Sequence, residues 1–170
     1  MTDEILFKKV DSEGEKEQIK ALWRTTFGDL FDYVEAFYRI FSVTENALVA
    51  VCGEKVVGMV NSIDCKARLD GDIFHGRYIY ALAVDEKYRG RGLAKRLLEI
   101  GRGEEFTMLV PENAGLFDMY AHLGFTLKTK VDARFTEPQG FVCGVPESPD
   151  KICALVKSEN EKMSDAEFFI

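Results

Sequence analysis

Apolar residues along the first part of the chain fall at helical spacing. Ser12-Glu13-Gly14-Glu15 fits a capping box, with Ser12 as N-cap and Glu15 three positions on. Ile19, Leu22, Trp23 and Phe27 then mark one face of a helix that Gly28 is suited to stop. Asp29 is placed to cap a second helix, with an apolar stripe of Leu30, Val34, Phe37 and Phe41. From Ala47 the period changes. Ala47–Cys52 and Val56–Lys66 are rich in valine and isoleucine and read as strands joined by a turn at Gly53-Glu54-Lys55. Asp70-Gly71 marks another turn, and Ile73–Val84 reads as one long central strand broken near Gly76.

Helical and strand signals then alternate. Leu93, Leu97 and Leu98 mark a short helix ending at Gly101 or Gly103, and Phe106–Val110 is a strand stopped by Pro111. Leu116, Tyr120 and Leu123 share a helix face ended by Gly124. Phe125–Val131 reads as a strand, the stretch from Pro138 to Pro149 as a loop, and Ile152–Val156 as a last strand. The order α-α-β-β-β-α-β-α-β-β has no repeat or linker, so residues 1–170 read as a single mixed α/β domain.

Composition narrows the function. With 46% hydrophobic and 30% charged residues the chain is an ordinary globular one. Its net charge of −7 opposes non-specific binding to nucleic acid or an anionic membrane. No apolar run approaches the ~18 residues of a spanning helix. Asp3, Glu4, Lys8, Lys9 and Asp11 interrupt any signal-peptide core, so the expected location is cytoplasmic, as monomer or homodimer. Cys52, Cys65, Cys143 and Cys153 form no C-x-x-C pair and are expected as reduced thiols. His75 and His122 fit no metal-ligand spacing, so no metal is expected, and both read as surface histidines.

The charge inverts locally. Lys87, Arg89, Arg91, Lys95 and Arg96 place five positive charges in ten residues, around Gly90 and Gly92, between a strand and a helix start. Glycines let backbone N–H groups approach one ligand, and a helix N-terminus adds unpaired donors. That arrangement suits a polyphosphate, although the five cations cannot all face one ligand. A dinucleotide fingerprint fails because Lys95 stands where its third glycine belongs, and no P-loop pattern is present. A turn before an ordinary helix is the plain alternative for Gly90 and Gly92, and a core aromatic is the plain alternative for Tyr120.

Arg89-x-x-Gly92-x-Ala94 resembles the Arg/Gln-x-x-Gly-x-Gly/Ala loop of the GNAT superfamily of acyl-CoA-dependent N-acyltransferases. Asn113, Leu116 and Tyr120-Ala121-His122-Leu123-Gly124-Phe125 are similar to a second segment of that family. Two helices before a β-hairpin match its order, and the resemblance covers roughly residues 5–130. It implies a GNAT-like fold with a mixed, twisted sheet flanked by helices, and an acetyl-CoA site. By the same resemblance Leu82, Ala83 and Val84 would pair with the pantetheine amides. The loop from Arg89 through Gly90, Arg91, Gly92, Leu93 and Ala94 to Lys95 would hold the pyrophosphate. Asn113, which also suits a helix cap, would contact the cofactor, and Tyr120 would protonate the departing thiolate.

The chain departs from the family's pattern in two places. Many relatives carry a glutamate on the central strand, but Arg77-Tyr78-Ile79-Tyr80 has no carboxylate, so no general base is assigned. The helix ending near Gly101-Arg102-Gly103 is also shorter than most relatives show. The expected activity is direct acetyl transfer to an amine. The rivals are a non-catalytic acyl-CoA-binding or regulatory module of the same fold and, more distantly, a nucleotide-binding module. The resemblance implies that the first two helices and their connection border the acceptor groove. That region carries Asp29, Asp32 and Glu35, and residues 1–54 hold eleven acids against six bases, which favours a cationic acceptor such as a polyamine, a lysine-like amine or an aminoglycoside.

Overall fold

The computed structural model describes residues 4–69, 72–111, 113, 115–125 and 168–169. Helix α1 (Glu13–Phe27) starts as its sequence demands. The Ser12 side chain accepts the Glu15 N–H at 3.2 Å, and Glu15 returns by accepting the Asp11 N–H at 3.1 Å. It ends where Gly28, at φ 74°, returns its N–H to the Arg24 carbonyl. Helix α2 (Phe31–Ile40) corrects the expected cap. Leu30 is its N-cap, and Asp29 makes no capping hydrogen bond. A single turn, α3 (Val43–Asn46), leads into the sheet.

The sheet runs β1 (Ile5–Lys9), β2 (Ala47–Cys52), β3 (Lys55–Leu69), β4 (Asp72–Val84) and β5 (Phe106–Leu109), with β6 (Phe168–Phe169) pairing the far end of β3. All neighbours are antiparallel except β4 and β5. Strands β1 and β6 were not expected. Three of the five residues of β1 are only partly buried, so its apolar signal is weak and its partner β2 defines it. The turns at Asp70-Gly71, the strand residues 126–131, the loop over 138–149, the strand over 152–156, and Cys143 and Cys153 lie outside the described residues.

The expected break in β4 at Gly76 is absent. Gly76 is a glycine because the Phe106 ring of β5 occupies the place of a Cβ, which would fall 2.5 Å from that ring. The irregularity lies further on. Met59 pairs with Ala83 but Asn61 pairs with Tyr80, so Ala81 and Leu82 oppose Val60 alone. Ala81 adopts φ 52°, a left-handed conformation that a side chain disfavours by about 1–2 kcal/mol.

Each sheet face carries a core. On one, Ile19 and Trp23 of α1 and Val34 and Phe37 of α2 pack on Met59, Ile63 and Ala83. On the other, Leu93, Leu97 and Leu98 of α4 (Leu93–Ile100) pack on Val57, Val60 and Ile79. Tyr120 and Leu123, in and just after α5 (Leu116–His122), border this second core. Cys52 and Cys65 are free thiols, and burial, aided by Asp64, pushes the Cys65 thiol up to about 11.

Leu97 is fully buried, with its Cδ1 within 3.1 Å of the place a Cβ would take on Gly58. Leu97→Ala therefore opens a cavity in close-packed surroundings, and chemical denaturation is expected to show a loss of about 2–5 kcal/mol. A loss below about 1 kcal/mol would contradict this packing.

Candidate active site

β4 and β5 pair only from Gly76↔Phe106 to Ile79↔Leu109. Past that point the strands part, and Pro111 has no N–H with which to continue the ladder. The backbone of Tyr80–Val84 is thus left without a strand on its β5 side. The Asp85 N–H donates to the Val57 carbonyl at 2.9 Å, so Asp85 faces β3, and so does Ala83 two residues earlier. Alternation turns the polar groups of Val84 and Leu82 into the gap. The Val84 carbonyl bears this out by accepting Arg89 Nε at 3.2 Å.

A cavity of about 800 Å³ occupies the gap. Its floor includes Leu82 and Val84, one wall is Arg89, Gly90, Gly92, Leu93 and Ala94, and the opposite wall carries Leu116, Met119 and Tyr120. Most of the residues expected at the site therefore meet there. Four do not line it. Ala83 is 2% exposed in the α1/α2-side core, and Arg91 bonds the Lys87 carbonyl at 3.3 Å with its guanidinium 4.8 Å from the Tyr88 ring centre. Lys95 lies 4.0 Å from Glu99, which Arg96 also reaches at 3.3 Å. The exposed Asn113 accepts the Gly115 N–H at 3.0 Å and so acts as a local turn brace before α5.

The loop from Asp85 to Gly92 is held from its start. The Asp85 carboxylate accepts the Lys87 N–H at 3.0 Å and meets Lys55 Nζ at 2.6 Å, opening a single turn of 3-10 helix over Glu86–Tyr88. Gly90 and Gly92 follow at φ 74° and 80°, and a Cβ on either would meet open space. Packing does not require glycine there. The left-handed backbone does, and the space above it stays open to a ligand. Gly92 is the N-cap of α4 without a side-chain bond, and the first helical bond runs from Arg96 N–H to the Gly92 carbonyl. The N–H groups of Leu93, Ala94 and Lys95 are accordingly left over by the helix, the first two on residues of the cavity wall.

Tyr120 owes its position to the residues after it. Gly124, at φ 95°, lets the Phe125 N–H return to the Tyr120 carbonyl at 3.0 Å and its own N–H to the Ala121 carbonyl at 3.0 Å. The Phe125 ring then meets Tyr120 edge-on at 5.8 Å. Arg102 bonds the Leu123 carbonyl and lies 5.9 Å from the Phe125 ring centre, fixing that helix end to the α4–β5 link. His75 and His122 are exposed, the latter bonded to the Asp118 carbonyl at 2.6 Å.

The cavity extends beyond the residues expected from sequence, past Tyr78 and Tyr80 to Trp23, Phe27 and Asp29. Asp29 reaches it because the turn at Gly28 brings the chain back under α1, where Trp23 Nε1 donates to Asp29 Oδ2 at 2.7 Å. Trp23 is a core residue, as its helical spacing implied, and Asp29, read both as a cap and as one of the acids favouring a cationic acceptor, is no cap but a cavity residue. Tyr80 and Tyr33 share a hydrogen bond at 2.6 Å, and Tyr38 donates to Asn61 Oδ1 at 3.1 Å. Burial, first of all, holds the phenols of Tyr80 and Tyr38 well above the usual tyrosine range, so both stay neutral. Beside the bulge, the buried Asn61 Nδ2 has no hydrogen-bond partner among the described residues.

Residues 8–127 match the model of the acetyltransferase (GNAT) domain. A GCN5-related N-acetyltransferase from Kribbella flavida is 24% identical with a TM-score of 0.57, over 72% of this chain and 33% of that one. This chain thus spans about a third of that protein's length. Glucosamine-6-phosphate N-acetyltransferase from Arabidopsis thaliana is 13% identical, TM-score 0.58, over 79% of this chain and 99% of that one. An aminoglycoside N-acetyltransferase solved with CoA is 17% identical, TM-score 0.61, over 75% and 91%. No curated protein matches the chain. Among the described residues no helix is long and apolar enough to cross a membrane.

Lys55 and hydrogen bonding to Lys87 N–H hold the Asp85 carboxyl below its ordinary 3.8. A carboxylate with a depressed folded-state pKa stabilises the protein above its unfolded pKa and loses that contribution as pH falls through the folded value. Asp85→Asn is therefore expected to cost up to about 1 kcal/mol at pH 7, measured by denaturation. The difference from wild type should shrink as pH falls below 3.8 and vanish once it has passed the lower folded-state value, where the Asp85 carboxyl is neutral like the asparagine. A gap that widens in acid would overturn the role given to the carboxylate.

Proposed function

We propose that this chain, which belongs to the GNAT acetyltransferase family, is an acetyl-CoA-dependent acetyltransferase that transfers the acetyl group directly to a primary amine of a small, cationic acceptor. The observation that carries this reading is the meeting, in one cavity, of the unpaired β4 backbone at Leu82 and Val84, the glycine loop and Tyr120. The strand edge offers amide-like pairing to the pantetheine arm, as a β-strand would. The loop N–H groups from Gly90 to Lys95 suit a pyrophosphate. Arg89 adds charge from the cavity wall, whereas Arg91 contributes to the loop's shape through Tyr88. Asn113 sets the start of α5 through Gly115.

In the reaction the neutral amine attacks the thioester carbonyl, which a β4 N–H polarises. A carbon–nitrogen bond forms and the carbon–sulfur bond breaks. Tyr120 gives its phenolic proton to the departing thiolate, and the proton lost by the amine returns through water. A thiol of pKa ~8.5 is a fair leaving group for a phenol of pKa ~10 to protonate in a dry site. No covalent enzyme intermediate is required. A non-catalytic acyl-CoA-binding role is the second reading, favoured by the absence of a carboxylate from Arg77–Tyr80.

Two variants test the assignment. Gly92→Glu puts a side chain on a left-handed residue and a negative charge beside the phosphates, so calorimetry is expected to show acetyl-CoA binding lost while circular dichroism stays native. Wild-type affinity would refute the phosphate cradle. Tyr120→Phe keeps the ring against Phe125 and removes one hydroxyl. kcat should fall by roughly a hundredfold or more with acetyl-CoA affinity little changed, since the hydroxyl acts on charge that develops as sulfur leaves. A kcat within about threefold of wild type would remove Tyr120 from the mechanism. Acetyl-CoA binding with no turnover on any amine would instead support the non-catalytic reading.

A further inference from the structure

The cavity is electrically polarised. Among the described residues that line it, Arg89 is the only cation and Asp29 the only carboxylate. Arg89 sits at the Val84 end of β4, bonded to that carbonyl, and Asp29 acts electrostatically on Tyr80 four residues earlier. Because of the bulge, the stretch from Tyr80 to Val84 spans only the three steps from Asn61 to Gly58 on β3, so at ~3.3 Å per residue the two ends lie about 10 Å apart. The phosphates claim the Arg89 end, so the Asp29 end is left for the acceptor.

That end has the chemistry of a cation receptor. Trp23 meets Tyr80 at 5.6 Å between ring centres, and Tyr78 meets Tyr80 at 5.9 Å. These three rings line the cavity with Phe27 and Asp29. Trp23 is 1% exposed and acts from within the core, whereas Phe27, Tyr78 and Tyr80 are only partly buried; their faces and the carboxylate attract an organic ammonium ion, and neither has such a preference for a neutral group. The carboxylate is fixed in place by the indole N–H, which leaves its second oxygen for a ligand. The other acids of the N-terminal helices are differently engaged. Glu35 pairs with Lys20 at 2.8 Å, and Asp32 is exposed and off the cavity.

We propose that Asp29, held by the buried Trp23 beside the rings of Phe27, Tyr78 and Tyr80, is the binding site for a protonated nitrogen of the acceptor, so that the enzyme selects ammonium-bearing small molecules. The term acceptor rests on the acetyl-transfer reading, but the cation site itself does not.

Trp23 is the only tryptophan of the chain and touches the site, so its fluorescence reports occupancy. The experiment titrates the whole protein with pentylammonium and with pentan-1-ol, its neutral counterpart of similar size. The expected result is a saturable change, with the ammonium bound roughly tenfold or more tightly. Asp29→Asn retains an oxygen for the indole N–H and removes only the charge, and should bring the two ligands within about threefold. Asp32→Asn, the same charge change away from the cavity, should keep the wild-type preference. Equal binding of ammonium and alcohol by the wild-type protein overturns the site, and needs no variant to show it. A full preference persisting in a folded Asp29→Asn also overturns it. Acetyl-CoA titrated in parallel separates the two ideas: ammonium selectivity lost with Asp29→Asn, but no acetyl-CoA binding, would sink the transfer reading and leave the cation site standing.

Discussion

Everything at the site follows from one departure from strand geometry, the two residues Ala81 and Leu82 set against the single Val60. A regular β4 would carry its ladder with β5 past Ile79 and close the sheet. The bulge adds twist, the left-handed Ala81 redirects the chain, and the parallel pairing stops after four residue pairs. The backbone groups freed in this way become the floor of the cavity. Strain of about 1–2 kcal/mol at one alanine is small beside the two cores that hold β4 in place from either face.

The walls use a different device, the helix terminus. The N-terminal end of α4 brings leftover N–H groups to one side, and the C-terminal end of α5 fixes Tyr120 on the other through Gly124, Phe125 and Arg102. Both depend on glycines in left-handed conformation, one before a helix and one after. This gives the spacing of Tyr120, Gly124 and Phe125 a mechanical meaning: the glycine turns the chain so that the phenylalanine backbone and ring both return to the tyrosine. The loop, in turn, is coupled to the β2–β3 turn through Lys55 and Asp85.

Sequence reasoning reached the parts of this arrangement that are written locally. The capping box at Ser12, the helix stops at Gly28, Gly101 and Gly124, and the basic glycine loop each involve residues a few positions apart. The GNAT fold and family were legible because those local signals occur in a fixed order. What escaped has its cause elsewhere in the chain. β1 exists because β2 offers a partner edge. Gly76 is a glycine because of Phe106, not because the strand breaks. Asp29 read as a helix cap and as one of several acids favouring a cationic acceptor, and only the fold discards the cap and turns its carboxylate to Trp23. The basic cluster was legible as charge but not as geometry, with Arg91 spent on Tyr88 and Lys95 on Glu99.

A gap inside a sheet also creates a hazard. The unpaired stretch of β4 is an edge strand, and edge strands are templates on which other chains add and aggregate. Here that edge is short, bent at Ala81, and lies deep between α4 and α5, and the facing segment stops at a proline. A flat partner strand cannot follow such a path, whereas a flexible chain with a few amide groups can. The kink that opens the binding groove therefore also keeps the protein from polymerising through it.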